Sequence, residues 1–247
     1  MHNRVNILGV RMSAVTPDLA VSEIQEWVAR GQKSYVCVAP VSSLVDANQD
    51  FAYQQILNNA DMVTPDGMPV VWLLQAHGNN FVRRTYGPDL MKKLCLETPL
   101  RHYFYGGTES VLNELEQRLK KDRPGIKIVG MCAPPFRPQA VVEPKAVVDA
   151  INAVNPDIVW VALGSPKQDY WMQLNRQTID APVIIAVGAA FDFLAGVKPQ
   201  APKWMQQCGL EWFFRLCSEP KRLWKRYVFG NTLFLIYCIK YLLKNPK

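Results

Sequence analysis

Apolar residues along this chain follow two alternating rhythms: short continuous runs of strand length, and longer stretches where they recur every three or four positions. Arg4 to Val10 reads as an opening strand, and Thr16-Pro17-Asp18 as the start of a helix reaching Arg30, with proline in its first turn. Tyr35 to Ala39 is a second apolar run. A helical stretch from about Ser42 to Asn58 follows, with Leu44, Val45, Ala52, Ile56 and Leu57 on one face. The step Met62-Val63 stops at Pro65-Asp66-Gly67, after which Met68 to Ala76 has a helical pattern; Gly87-Pro88-Asp89 opens another helix that ends before Pro99.

The middle of the chain repeats the alternation more plainly. Strands are predicted at Tyr103 to Tyr105, Ile126 to Met131, Ile158 to Leu163 and Val183 to Val187. Between them lie helices ending near Arg123, spanning Val141 to Val154, and ending near Gln177. Strands alternating with helices of this length imply βαβ crossovers, so the fold class is α/β with a mainly parallel sheet flanked by helices. Residues 1–195 read as one catalytic-sized core and residues 196–247 as a basic, aromatic-rich helical appendage. In the latter, Trp204, Trp212, Phe213 and Phe214 precede a long helix from Lys221 to about Leu243. It begins with Lys221, Arg222, Lys225 and Arg226 around Leu223 and Trp224 and then turns strongly apolar.

Charge sharpens this division. The net charge is +7, yet residues 1–197 hold 18 Lys and Arg against 19 Asp and Glu, whereas residues 198–247 hold 10 against 2. The excess is local to the tail. A basic start, aromatics and polar interruptions at Asn231, Thr232 and Lys240 suit a helix lying in a membrane surface better than one crossing it. Packing on the core or on a second copy is the other reading, and an apolar surface of this kind favours a homo-oligomer. The cations interleave with an apolar stripe, which fits lipid better than nucleic acid.

The remaining composition narrows the chemistry. No N-terminal segment has the pattern of a secretory signal. Six scattered cysteines without a Cys-x-x-Cys pair fit reduced thiols in a cytosolic protein, and His2, His77 and His102 have no metal-ligand spacing, which speaks against a zinc enzyme; no metal ligand and no cofactor are assigned. Asp66 is a carboxylate on a tight turn between strand and helix. Alone, the tripeptide also reads as an ordinary turn with a helix-capping Asp. Gly106-Gly107 and Gly164 each end a strand and open a helix, where parallel sheets take up phosphates or nucleotides, although neither is a full Gly-x-Gly-x-x-Gly. Lys167 and Gln168 add a cation and an amide there. Asp192 offers an acceptor for a sugar hydroxyl, or a helix cap.

An ordered series of motifs carries more than any one of them: Pro65-Asp66-Gly67, Gly87-Pro88-Asp89-Leu90, Phe104-Tyr105-Gly106-Gly107, Gly164-Ser165-Pro166-Lys167-Gln168, Phe191-Asp192, Ala201-Pro202, Gly209-Leu210-Glu211-Trp212-Phe213-Phe214-Arg215-Leu216 and Glu219-Pro220 with Arg222. Over nearly the whole chain this series resembles the WecB/TagA/CpsF family of bacterial glycosyltransferases, glycosyltransferase family 26. The resemblance implies a Rossmann-like core and a C-terminal appendage that meets the membrane. It implies inverting, metal-independent transfer from a UDP-sugar to a polyprenyl-diphosphate-linked acceptor in cell-surface or exopolysaccharide synthesis. The enzyme would be peripheral on the inner face of the cytoplasmic membrane, held there through residues 221–243. Asp66 matches the aspartate proposed as general base, and Arg215 and Arg222 match arginines thought to hold diphosphate charge.

Lys225 stands where a third arginine is common, with Arg226 beside it as a substitute. Gly106, Gly107, Gly164, Lys167, Gln168 and Asp192 are assigned with these cations to nucleotide and diphosphate; Pro40, Ser42, Gly67, Arg84 and Asp89 to the sugar or acceptor neighbourhood. Pro40 replaces a usual Asn, with Ser42 or Ser43 to supply the hydrogen bond. Asp169 replaces a commoner Glu, and Gln200 a common Arg. The alternatives are a nucleotide-cofactor oxidoreductase, weakened by the missing glycine fingerprint after the first strand, and a non-enzymatic membrane or nucleic-acid binder built on the tail.

Overall fold

A computed structural model of the chain describes residues 2–244. Its opening run is a hairpin and not one strand: β1 (Arg4–Ile7) and β2 (Val10–Ser13) pair antiparallel. Leu8 and Gly9 hold φ of 52° and 84°, the geometry of a tight two-residue hairpin turn, and the Gly9 N–H donates to Asn6 Oδ1 at 2.8 Å. A leucine at positive φ leaves no mark in the sequence, and so a strand through Val10 was expected.

The helix α1 (Pro17–Ala29) begins where Thr16 Oγ1 accepts from the Leu19 N–H at 3.2 Å, and buries Ala20, Val21, Ile24 and Trp27 on one face. After β3 (Ser34–Ala39) the single helix expected to reach Asn58 is two, α2 (Val41–Gln49) and α3 (Phe51–Asn59). Asp50 breaks it. Its backbone is extended and its carboxylate caps the second helix, accepting from the Ala52 and Tyr53 N–H groups at 2.9 and 3.2 Å.

Next come β4 (Met62–Pro65), α4 (Met68–Ala76), α5 (Gly87–Glu97), β5 (Arg101–Gly106), α6 (Glu109–Asp122) and β6 (Lys127–Cys132). The helix expected from Val141 starts later, as α7 (Lys145–Ala153). Pro144 keeps Glu143 out of helical geometry, and Glu143 is instead tied down by Tyr105 Oη, Trp171 Nε1 and Arg137 at 2.6, 2.8 and 3.0 Å. Then follow β7 (Ile158–Ala162), α8 (Lys167–Asn175), β8 (Val183–Ala186), α9 (Ala190–Leu194), α10 (Lys203–Gln207), α11 (Glu211–Ser218) and α12 (Pro220–Lys244).

Six strands form one parallel sheet in the order β4-β3-β8-β7-β5-β6. Alternation along each strand splits the core in two. Tyr35, Cys37, Tyr105, Val161 and Ile184 face one layer of helices, and Val36, Phe104, Trp160 and Ile185 the other. This is the Rossmann-like parallel α/β architecture the pattern and the resemblance led to.

The helix α12 runs along α2. Leu223 and Phe234 are buried, the latter in the first of the two cores, and Tyr241 Oη donates to Asn6 O at 2.7 Å. The opposite face leaves Val228, Phe229, Ile236 and Ile239 exposed. Among the described residues no helix is long and apolar enough to cross a membrane.

Candidate active site

Only Asp66 and Gly67 separate β4 from α4, so the carboxylate stands at the carboxyl end of the sheet where chemistry collects in open α/β folds. The Asp66 N–H continues the β3–β4 ladder, donating to Ala39 O at 3.3 Å. Asp66 lies on the wall of a cavity of about 640 Å³. The start of α2, one face of α4 from Met68 to Ala76, and the inner faces of α11 and α12 enclose it. Neither α2 nor α4 has a side-chain cap: their Ncap residues are Pro40 and Gly67. Both helix starts stand on the wall of this space, together with Arg84, Arg215 and Arg226.

Arg84 organises the polar end. Its Nε donates to the Asp66 carbonyl, while Nη2 reaches Asp66 Oδ1 at 3.3 Å and Glu211 Oε2 at 2.5 Å. The guanidinium lies 3.9 Å over the Tyr86 ring, and Tyr86 Oη donates to the other Glu211 oxygen at 2.9 Å. One cation thus joins a carboxylate of the sheet to one of α11. The Asp66 side chain is 18% exposed, and its pKa is pushed up to about 6. Burial is the main cause. Arg84 opposes it, the Glu211 charge reinforces it, and Arg215 opposes it again. Ser42 Oγ accepts from Arg226 at 2.5 Å, which ties the mouth of the cavity to α12.

Of the residues singled out from the sequence, the cavity brings together Asp66, Pro40, Ser42, Gly67, Arg84, Arg215 and Arg226. The others lie elsewhere. Gly106 ends β5 and Gly164 follows β7, four and three strand steps from β4, or about 19 and 14 Å along the sheet edge. Gly106 has φ +122°, and a Cβ there would sit 2.4 Å from the Ala162 carbonyl oxygen, so only glycine fits between β5 and β7. Gly107 and Gly164 are exposed beside it. Gln168 is buried and accepts from the Gly188 N–H at 3.0 Å, fixing the loop after β8. Lys167 Nζ donates to Arg137 O at 2.8 Å, and Asp192 pairs with Lys198 at 3.0 Å. Arg222 pairs with Glu219 at 2.6 Å, Lys225 lies near the Trp224 ring, and both are exposed, as is Asp89. Asp169, behind the Gly164 loop, is buried and accepts from Tyr53 Oη at 2.9 Å.

Three neighbours of Asp66 were not foreseen: Glu211, Tyr86 and Gln206, whose Oε1 accepts from Arg84 at 3.3 Å. Glu211 belongs to a motif quoted above, but its partner is 127 positions away, and no local pattern encodes that pairing.

A family model described as "Glycosyl transferase WecG/TagA/CpsF family" matches residues 5–247. An N-acetylglucosaminyldiphosphoundecaprenol N-acetyl-beta-D-mannosaminyltransferase of Bacillus spizizenii strain W23 is 31% identical over 220 residues, covering 85% of this chain and 83% of the relative. A protein of the same name from Bacillus subtilis strain 168 is 32% identical over 183 residues, covering 73% and 69%.

Proposed function

The chain belongs to the WecG/TagA/CpsF family of glycosyl transferases, and on that premise we propose that it moves a sugar from a UDP-sugar to a hydroxyl of a polyprenyl-diphosphate-linked acceptor, with inversion, using Asp66 as general base. One observation carries the reading: a carboxylate whose pKa stands near 6, on a cavity ringed by Arg84, Arg215 and Arg226. At neutral pH such a group is mostly ionised yet basic enough to take a proton.

The acceptor oxygen attacks the anomeric carbon while the bond from that carbon to the diphosphate oxygen breaks. The hydroxyl proton passes to an Asp66 oxygen, and UDP leaves with the electron pair. Negative charge grows on the departing diphosphate, so cations and uncapped helix N-termini facing it stabilise the transition state more than the ground state. Arg215, with the uncapped starts of α2 and α4, supplies that charge without a metal. A donor laid along the carboxyl edge of the sheet has its nucleoside at the Gly106, Gly107 and Gly164 loops and its sugar at Asp66. Arg222 and Lys225 lie on α12 close to its basic start, and they come to bear on the lipid diphosphate at the membrane surface, with the exposed apolar face of α12 seated in lipid. No observation favours the oxidoreductase alternative.

The test is a panel of UDP-sugars, UDP-N-acetylmannosamine first because the relatives are named for that sugar, against a lipid-diphosphate N-acetylglucosamine acceptor. UDP release would be followed together with the anomeric configuration of the product by NMR. Transfer with inversion, insensitive to EDTA, is expected. Retained configuration, or absence of turnover with every UDP-sugar, would overturn the reading.

A further inference from the structure

The cavity at Asp66 has a second limb that the chemistry above does not use. Beyond the arginines its wall turns apolar: Trp72, Leu73 and Ala76 on α4, and Phe234, Leu235 and Cys238 on α12. On α4 the lining positions repeat at helical spacing from Met68 to Ala76, a rise of about 12 Å. The two helices run alongside each other. Arg226 and Tyr227 line the cavity with Asp66 at one end, and His77 meets Tyr241 at the other, 3.1 Å between Nε2 and Oη. Trp72 is 49% exposed although it lines this limb, and Leu235 is 62% exposed at its edge. Such surface stays uncovered in a folded chain when something else covers it.

Gly230 stands where the limb leaves the arginine-lined end, one turn past Arg226 and Tyr227. It sits inside α12, where glycine is a poorer helix former than alanine, and a Cβ built on it meets nothing within 4 Å. No close backbone approach explains the glycine. Its missing side chain widens the channel.

We propose that this limb seats the prenyl chain of the acceptor, so that the lipid enters along α12 and its diphosphate comes to rest by Arg226 at the basic start of that helix, with its sugar toward Asp66. The inference rests on the acceptor class proposed above and adds where in the fold that class is recognised. Continuity fixes the occupant: the limb opens directly into the arginine-lined end where a diphosphate belongs, and the acceptor named for the relatives joins undecaprenol to N-acetylglucosamine through such a diphosphate. A polar glycan would meet Asn231 alone on the α12 side past Tyr227. A chain of methyl-branched alkenes matches an indole face and aliphatic side chains.

The experiment compares the full-length wild type with Gly230→Phe, which plugs the limb, and Gly230→Ala, which does not. Calorimetric titration uses geranylgeranyl diphosphate, methyl diphosphate and hexadecyl diphosphate. Wild type and Gly230→Ala should bind the prenyl ligand at least tenfold more tightly than methyl diphosphate. Gly230→Phe should lose that preference while keeping wild-type affinity for UDP, which also shows that it is folded. Equal prenyl affinity in wild type and Gly230→Phe would overturn the proposal, as would equal or tighter binding of the straight-chain ligand. Sugar transfer is read separately: Gly230→Phe should raise KM for a prenyl acceptor at least tenfold and leave turnover of a short-chain acceptor unchanged. Absence of all transfer by the wild type would sink the proposed activity, and the titration would still decide the groove.

Discussion

Replacing Glu211 with Gln should move the pH profile of the enzyme in a direction that follows from three side chains. Asp66 and Glu211 share one nitrogen of Arg84, at 3.3 and 2.5 Å, so their nearest oxygens are within about 6 Å of each other. Two unit charges at that distance interact by about 3 kcal/mol at an effective dielectric constant of about 20, or about two pKa units. The neutral amide removes this repulsion. It also leaves Arg84 with Asp66 as its one carboxylate in the cluster, and both changes favour the ionised form. Allowing for solvent in the open cavity, the Asp66 pKa should fall from about 6 by about one to two units.

The assay is kcat/KM between pH 4.5 and 8.5 for wild type, Glu211→Gln and Glu211→Asp. Wild-type activity should fall below about pH 6. The Gln variant should hold its activity to lower pH, with a several-fold lower rate at pH 8 because a weaker base accepts the proton less readily. The Asp variant should restore the wild-type profile. An acid limb that stays in place in Glu211→Gln, or that moves upward, would refute the electrostatic account of this cluster.

Stability should respond to Asp66 as well. It ionises at about 6 in the folded chain and at about 3.9 when unfolded, so the folded state binds the extra proton between those values. Stability from this group is therefore full below about pH 4 and falls by about 3 kcal/mol as pH rises through 6. Asp66→Asn should match the wild type in urea near pH 4 and exceed it at pH 8; lower stability of the variant at pH 8 would contradict this. On the outer face of α12, Phe229, Ile236 and Ile239 are exposed and do not line the cavity. Replacing all three with Ser should release the protein from anionic vesicles in sedimentation, at least fivefold, with its circular dichroism intact. Unchanged sedimentation would remove membrane seating from the account. Deleting the tail is a poorer test, because it would uncover the core around Phe234.

The alternation of apolar runs and helical stretches was enough to read the parallel sheet, because buried parallel strands are apolar on both faces and need no partner to be recognised. What escaped depended on backbone states or distant pairings. Leu8 takes a positive φ that nothing beside it announces except Gly9, and Asp50 chose to cap a new helix where it could equally have continued the old one. At the site, Asp66 and Arg215 were legible from motif order, and Pro65 and Gly67 explain why the carboxylate is held on a turn. Glu211 was not, since its role arises only when α11 folds back over Arg84 and Tyr86. The glycine loops were read correctly as strand-end turns, yet their distance from Asp66 follows from strand order, which local sequence does not specify.

The central claim is that Asp66 takes the proton in the transfer step. It is tested most directly by single-turnover transfer with Asp66→Asn, donor binding being measured on the same sample. Transfer at least about a hundredfold slower than wild type, with UDP-sugar affinity unchanged, is the expected result. Transfer at the wild-type rate would contradict it.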